Sequence, residues 1–455
     1  MFFRKATRKK SKILENCLIE HQQVQLRSIA SNRNEEVSFG RLLNNKKVDE
    51  EGIISSIIRR TSNLCAGRHV LSIQDTSELH YHKHGGRIKD YRGLGDAGRC
   101  PLGYFIHPSL AIDATNETIL GLSDIYIWNR EKNRTTDASM RKQIKIEDKE
   151  SFKWIRASQS SQVCLRSAEH ITIIQDRDGD IFEEFLLVPD KKTDLLIRSR
   201  ADRKLVDTEE SLYKSVAKQP ICIKYELEIT TDNKKRAARK ALMEVKYCKV
   251  FIRCPKDLRS RGYAKGVELT IVHAKESPST VPIGESPVDW KLLTTHEVAN
   301  FMDAIQIIYW YSLRWLIEDF FRLLKKRGFD LESSELETGY GLRKLGLFTM
   351  QAATKVMQLR QSRNEEVEIP IKVVFVEKEQ ECLEDILPNL EGQSEKLKNP
   401  YPKEQLIWAN WIIARLGGWS GYKSQRPPGL ITLRKGLQKF NLIYLGWKIN
   451  KQNST

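Results

Sequence analysis

The run His170-Ile-Thr-Ile-Ile-Gln-Asp176 constrains the fold more than any other stretch. A strand that is continuously apolar needs cover on both faces, so it predicts a buried parallel strand in an α/β protein. It stops in an acidic loop, Asp176-Arg-Asp-Gly-Asp180. A calcium loop is excluded, because its sixth and twelfth positions hold Ile181 and Leu187 where Gly and Glu are needed. Val70-Leu-Ser-Ile-Gln-Asp75-Thr-Ser is a shorter apolar strand that ends in an acid and two hydroxyls. Asp75 taken alone is also a common turn-capping residue.

A third acid lies on a helix. Tyr311-Ser-Leu-Arg-Trp-Leu-Ile-Glu-Asp-Phe-Phe-Arg-Leu-Leu-Lys325 has the period of one amphipathic helix that stops near Gly328. Tyr311, Arg314, Glu318, Arg322 and Lys325 fall within an arc of roughly 80°. Leu313, Leu316, Ile317, Phe320 and Leu324 take the inward side. Cations and a phenol suit phosphate oxygens, and arginine grips them bidentately. A carboxylate on such a face makes sense if a divalent cation lies between it and the phosphate. The same arc also reads as a solvated face with the i,i+4 pairs Arg314–Glu318 and Glu318–Arg322.

The charge balance gives the partner class. A net charge of +17 over 455 residues argues for a polyanion, nucleic acid before membrane. No apolar run approaches the roughly 18 residues of a membrane span, and no signal core follows the basic start, so a cytoplasmic, nucleoid-associated protein is expected. Eight scattered cysteines without a Cys-x-x-Cys read as reduced thiols. His80, His82 and His84 alternate beside a glycine-rich loop and could face one metal, but that loop lacks the spacing of a phosphate cradle.

Five regions follow along the chain. Residues 1–68 are basic and helical in pattern, with Arg4, Lys5, Arg8, Lys9, Lys10 and Lys12 at the start, and read as a DNA-binding domain. Residues 69–204 and 301–365 make the two parts of a catalytic core. Gly103–Ile112 and Thr118–Trp128 alternate as strands, so three sequential antiparallel strands opening with an acid fit an RNase H-like sheet. A helix from Lys149 to about Arg166 and a strand Leu195–Arg200 complete the first part, and Arg198, Arg200 and Arg203 are candidate DNA-backbone contacts. Residues 205–300 are a strand-rich insertion, alternating over Ile221–Ile229, Leu242–Ile252 and Val267–His273, with a basic turn Lys234–Lys240. Residues 366–455 are helical, with a double-glycine stop at Gly417-Gly418 and a last helix Leu433–Phe440. The fold class is therefore α/β, an RNase H-like core interrupted by a β-rich insertion between helical terminal domains.

Four motifs occur in order: Asp75-Thr, Asp176-Arg-Asp, Trp290 followed by Leu-Leu-Thr, and the Tyr311/Arg314/Glu318 helix. Together they resemble the bacterial DDE transposases of the insertion-sequence-four family, the group of the transposon-five transposase. The resemblance runs from about Leu42 to Trp447. It implies that Asp75, Asp176 and Glu318 are the catalytic carboxylates and hold two Mg²⁺ or Mn²⁺ ions. Tyr311, Arg314, Arg322 and Lys325 would hold the DNA backbone, although Arg322 stands where the family usually has lysine. Trp290 would stack a flipped base. The implied activity is cut-and-paste transposition: nicking at terminal inverted repeats, hairpin formation and resolution, then strand transfer into target DNA by a homodimer in a synaptic complex. The C-terminal Ile-Ala-Arg-Leu-Gly-Gly segment would serve dimerisation. Two other readings fit the same residues: an RNase H-like nuclease that cleaves without joining, and a catalytically inactive DNA-binding or dimerising inhibitor of transposition.

Overall fold

A computed structural model describes residues 5–130, 144–230, 237–326, 328–362, 368–422 and 428–453. Arg4 and residues 234–236 of the basic turn lie outside the described residues. The protein is a mixed α/β structure built on one large, mostly antiparallel sheet. Its strands are β1 (His69–Gln74), β2 (Ser77–His80), β3 (Gly103–Asp113), β4 (Ile119–Trp128), β5 (His170–Gln175), β6 (Thr193–Arg198), β7 (Ile223–Ile229), β8 (Arg239–Arg253), β9 (Gly266–Glu276) and β10 (Asp289–Thr294).

The long strand β3 organises one half. It pairs antiparallel with β1, with β2 and with β4. β5 then runs parallel to β1, and β6 parallel to β5. Every residue of β5 after His170 is buried, as a strand covered on both faces requires. β10 joins β6 antiparallel, and β9, β8 and β7 follow antiparallel, so residues 223–294 extend the same sheet. β8 runs 15 residues from Arg239, and β9 continues to Glu276, both longer than the alternation alone indicates. At the free edge, Lys224, Glu226 and Glu228 of β7 point outward, and a charged edge resists pairing with a further strand.

Helices cover the faces. Phe152–Cys164 packs on β1, β3 and β4, and Glu50–Leu64 packs on β4. Gly339–Gln361 runs through the interior, touching Lys5–His21, Arg33–Asn44, Glu50–Leu64, β4 and Trp315–Leu324. Side-chain caps start the helices: Asn32 accepts from the Glu35 N–H, Asp49 from Gly52, Thr338 from Gly341, and Asn300 forms a reciprocal box with Asp303. The last helix is far longer than expected, Leu430–Asn453. The N-terminal helices share one apolar core with the sheet, through Leu14, Leu18, Phe39, Leu43 and Ile53. All eight cysteines are unpaired. Among the described residues no helix is long and apolar enough to cross a membrane.

Candidate active site

The parallel pairing of β1 and β5 sets the first two acids side by side. His69 is opposite His170 and Ile73 opposite Ile174, a constant offset that carries through to Asp75 and Asp176, each one residue beyond its strand. The Asp75 carboxylate accepts from the Thr76 N–H at 2.7 Å. The Asp176 carboxylate accepts from the Asp178 N–H at 2.9 Å and caps the short turn Arg177–Gly179.

The expected single helix over residues 311–325 is two helices, Phe301–Ser312 and Trp315–Leu324. Around Leu313 and Arg314 the backbone N–H groups bond three residues back: Leu313 to Trp310, Arg314 to Tyr311, Leu316 to Leu313 and Ile317 to Arg314. This tighter turn interrupts the α-helix without a glycine or proline. Glu318 sits in the first turn of the second helix. Ile317, Phe320 and Leu324 are fully buried, as the period requires.

Arg314 links the acids. Its Nη1 lies 3.2 Å from Asp75 Oδ2 and its Nη2 lies 2.9 Å from Glu318 Oε1. The guanidinium thus stands between two of the three carboxylates, and the trio is not a cluster of ligand atoms within 4.8 Å of one another. Burial pushes the Asp75 carboxyl up to about 7, and the neighbouring Asp176 and Glu318 add to it, against Arg314 and the Thr76 N–H. Burial also raises Asp176, with Asp178 adding to it and Arg314 and Lys153 opposing. For both aspartates burial is the larger cause, and a neighbouring carboxylate adds to it.

The remaining residues surround this centre unevenly. Tyr311, expected on the polar face, is buried, and its ring meets Trp290 edge-on at a centroid distance of 5.8 Å. Arg198 bonds the Tyr311 hydroxyl and donates to the Asp289 carbonyl at 3.0 Å. Trp290 is half-buried on β10, opposite Ala274 of β9. Arg200 is exposed near Asp178. Arg203 instead pairs with buried Asp180, so it braces the acidic loop and does not offer a free contact. Arg322 is exposed and pairs with Asp319. Lys325 ends the second helix, half-buried. Of the alternating histidines, His80 pairs with Glu78, and His82 lies 3.6 Å from the Cys100 sulfur.

A polar network behind the acids has no counterpart in the sequence reading. Gln175 Nε2 donates to Gln74 Oε1 at 3.1 Å and to Glu184 Oε1 at 2.7 Å. Gln74 Nε2 donates to Ser158 Oγ at 3.0 Å, and Ser158 donates to Glu184 at 2.7 Å. His107 links Gln74 to Thr76, the residue after Asp75. Burial pushes the Glu184 carboxyl up to about 7, against the bonds from Ser158 and Gln175. Lys153, also missed, is lowered by burial and faces the charges of Asp178 and Asp176. The sequence signal for the network was the glutamine preceding each aspartate.

No family model matches the chain. Among solved structures the chain is similar to a piggyBac transposase synaptic complex with hairpin DNA, at 8% sequence identity and a TM-score of 0.37, over 80% of this chain and 68% of that one. An overlap that loose carries no argument for fold or activity.

Proposed function

We propose that the chain is a DNA transposase of the DDE type, cleaving and joining DNA strands with Asp75, Asp176 and Glu318. One observation carries the reading. Two half-buried acids stand at matching positions past adjacent parallel strands, and a half-buried arginine ties the third acid to the first. The strand order β4-β3-β1-β5-β6, antiparallel up to β1 and parallel beyond it, supports an RNase H-like core.

The donor set fits hard dications, since it is all carboxylate and Asp75 is pushed up by burial and by Asp176. Asp75, Asp176 and Glu318 would hold Mg²⁺ or Mn²⁺, two per site, and the ions would activate a water or 3′-hydroxyl and stabilise the leaving oxygen. Arg314 is the residue that changes partners, because its guanidinium matches a backbone phosphate as well as it matches Asp75 and Glu318. Trp290 offers a ring edge and face beside Tyr311 for an unstacked base. Arg198, Arg200, Arg322 and Lys325 take backbone phosphates, and the excess of basic residues favours double-stranded DNA, both terminal inverted repeats and target. Ile431, Leu442, Leu445 and Ile449 are exposed along the last helix, which supports a homodimer through that segment.

The test is cleavage and joining of the DNA ends flanking the coding region with Mg²⁺. Asp75→Asn, Asp176→Asn and Glu318→Gln are each expected to lower the rate on the order of 10³-fold while DNA binding persists. Wild-type rates in any of these variants would sink the assignment of that acid. Cut ends with no joined product would favour the nuclease. Binding with no Mg²⁺-dependent cleavage by the wild type would favour the inhibitor.

A further inference from the structure

A second constellation lies at the other end of the sheet. His170 opens β5, Asp194 is the second residue of β6, and His296 sits between β10 and the helix Phe301–Ser312. Six residue steps separate His170 from Asp176, roughly 20 Å at about 3.3 Å per step. One ligand atom from each of His170, Asp194 and His296 lies within 4.8 Å of the other two, the one such cluster among the described residues. His170 Nε2 is 2.9 Å and His296 Nδ1 is 3.3 Å from Asp194 Oδ2. Around a tetrahedral ion with bonds of about 2.0–2.2 Å, ligand atoms stand about 3.3–3.6 Å apart, so little movement is needed to admit one.

The ligands are also oriented from behind. His296 meets the Thr172 hydroxyl through Nε2 at 2.8 Å, which leaves Nδ1 facing Asp194. Thr295 Oγ1 donates to Asp194 Oδ1 at 2.6 Å. His69 meets the other side of Thr172 at 2.8 Å, and the Trp310 ring closes one wall, 5.2 Å from His296. Partners of this kind fix the ring and the oxygen that a metal uses. Thr172, His296 and Asp194 are also in line as a nucleophile–base–acid relay, but Thr172 is fully buried and no acyl substrate can reach it. The three ligands are only partly buried, so an ion can.

We propose that His170, Asp194 and His296 bind a transition-metal dication of the zinc class, with water completing the coordination. Two imidazoles and one carboxylate select such an ion over Mg²⁺. Its place gives it a structural role. It ties β5 and β6 to the segment that leads into the helix carrying Tyr311, and so fixes the start of that helix against the sheet.

The full chain, stripped of metal by chelation, is titrated with Co²⁺. The expected result is one equivalent bound with the visible bands of a four-coordinate ion, displaced by Zn²⁺ and unmoved by excess Mg²⁺. His296→Ala and the closer substitution His170→Gln abolish the bands, and Thr295→Val weakens binding about tenfold. Asp75→Asn leaves the bands unchanged. Zn²⁺ raises the melting temperature of the wild type and of Asp75→Asn, but not of His170→Gln. Folding of each metal-free variant is checked by circular dichroism. Absence of the bands in folded wild type overturns the proposal. So does their survival in folded His170→Gln, or their loss in Asp75→Asn alone.

Discussion

Glu184 lies deeper than either aspartate and, among the described residues, has no cation beside it. Its carboxyl is raised from 4.5 to about 7, so the folded state holds a proton that the unfolded chain releases earlier. The stability this group contributes is complete below pH 4.5 and is lost as pH rises through about 7. Glu184→Gln keeps the two acceptor bonds and does not titrate. Relative to the wild type it should gain stability progressively over that window, reaching on the order of 3 kcal/mol above pH 8. Chemical denaturation at a series of pH values checks this; a difference independent of pH would contradict it. Asp75 and Asp176 were legible in the sequence because an apolar strand that stops on an acid is a local pattern. Glu184 was not. Phe182-Glu-Glu-Phe185 looks like a solvated helix start, and only the packing of that turn against the helix Phe152–Cys164 buries it.

Elements were legible where one period runs unbroken. β5 and the apolar stripe Ile317, Phe320 and Leu324 follow from spacing alone. The interruption at Leu313 and Arg314 did not, because none of the usual breakers marks it; Arg314 is drawn toward Asp75 by a partner 239 residues away. The last helix was underestimated for the opposite reason, since Gly436 and Gly446 dilute a pattern that continues to Asn453. Gly436 has a packing role. A Cβ there would meet the Ile413 carbonyl at 1.7 Å, and one on Gly417 would meet the Thr432 carbonyl at 2.1 Å, so the helices Leu406–Leu416 and Leu430–Asn453 cross at backbone contact. In an open helix Gly→Ala stabilises by up to about 1 kcal/mol. Here Gly436→Ala should destabilise by about 1–3 kcal/mol or more, read as a lower denaturation midpoint. A gain would show that the two helices are not held together.

At the scale of the molecule, a buried ionic cluster joins helices distant along the chain. Lys355 Nζ lies 2.6 Å from Glu15, and Lys12 lies 3.4 Å from Glu379. Burial opposes the charged form of Glu15, but Lys355 and Lys12 outweigh it and bring the carboxyl down to about 2. Lys355→Met alone should cost about 3–5 kcal/mol, because it removes half of a buried pair. Glu15→Leu with Lys355→Met should restore much of that loss, since a well-packed apolar pair often replaces an ionic one without penalty. Equal midpoints for the single and double variants would exclude this coupling. Nothing in the sequence marks either residue, because both lie in stretches that look like ordinary charged helix.

That cluster limits how the polypeptide can be re-engineered. The opening helix looks like a module to be exchanged for another of different specificity, yet Lys355 waits for it in the middle of the chain. A donor segment lacking an acid at the place of Glu15 would leave the buried Lys355 amine without its partner. Chimaeras that swap the first sixty or so residues will therefore fold well when the donor keeps that acid or when the helix they rest against is rewritten to match.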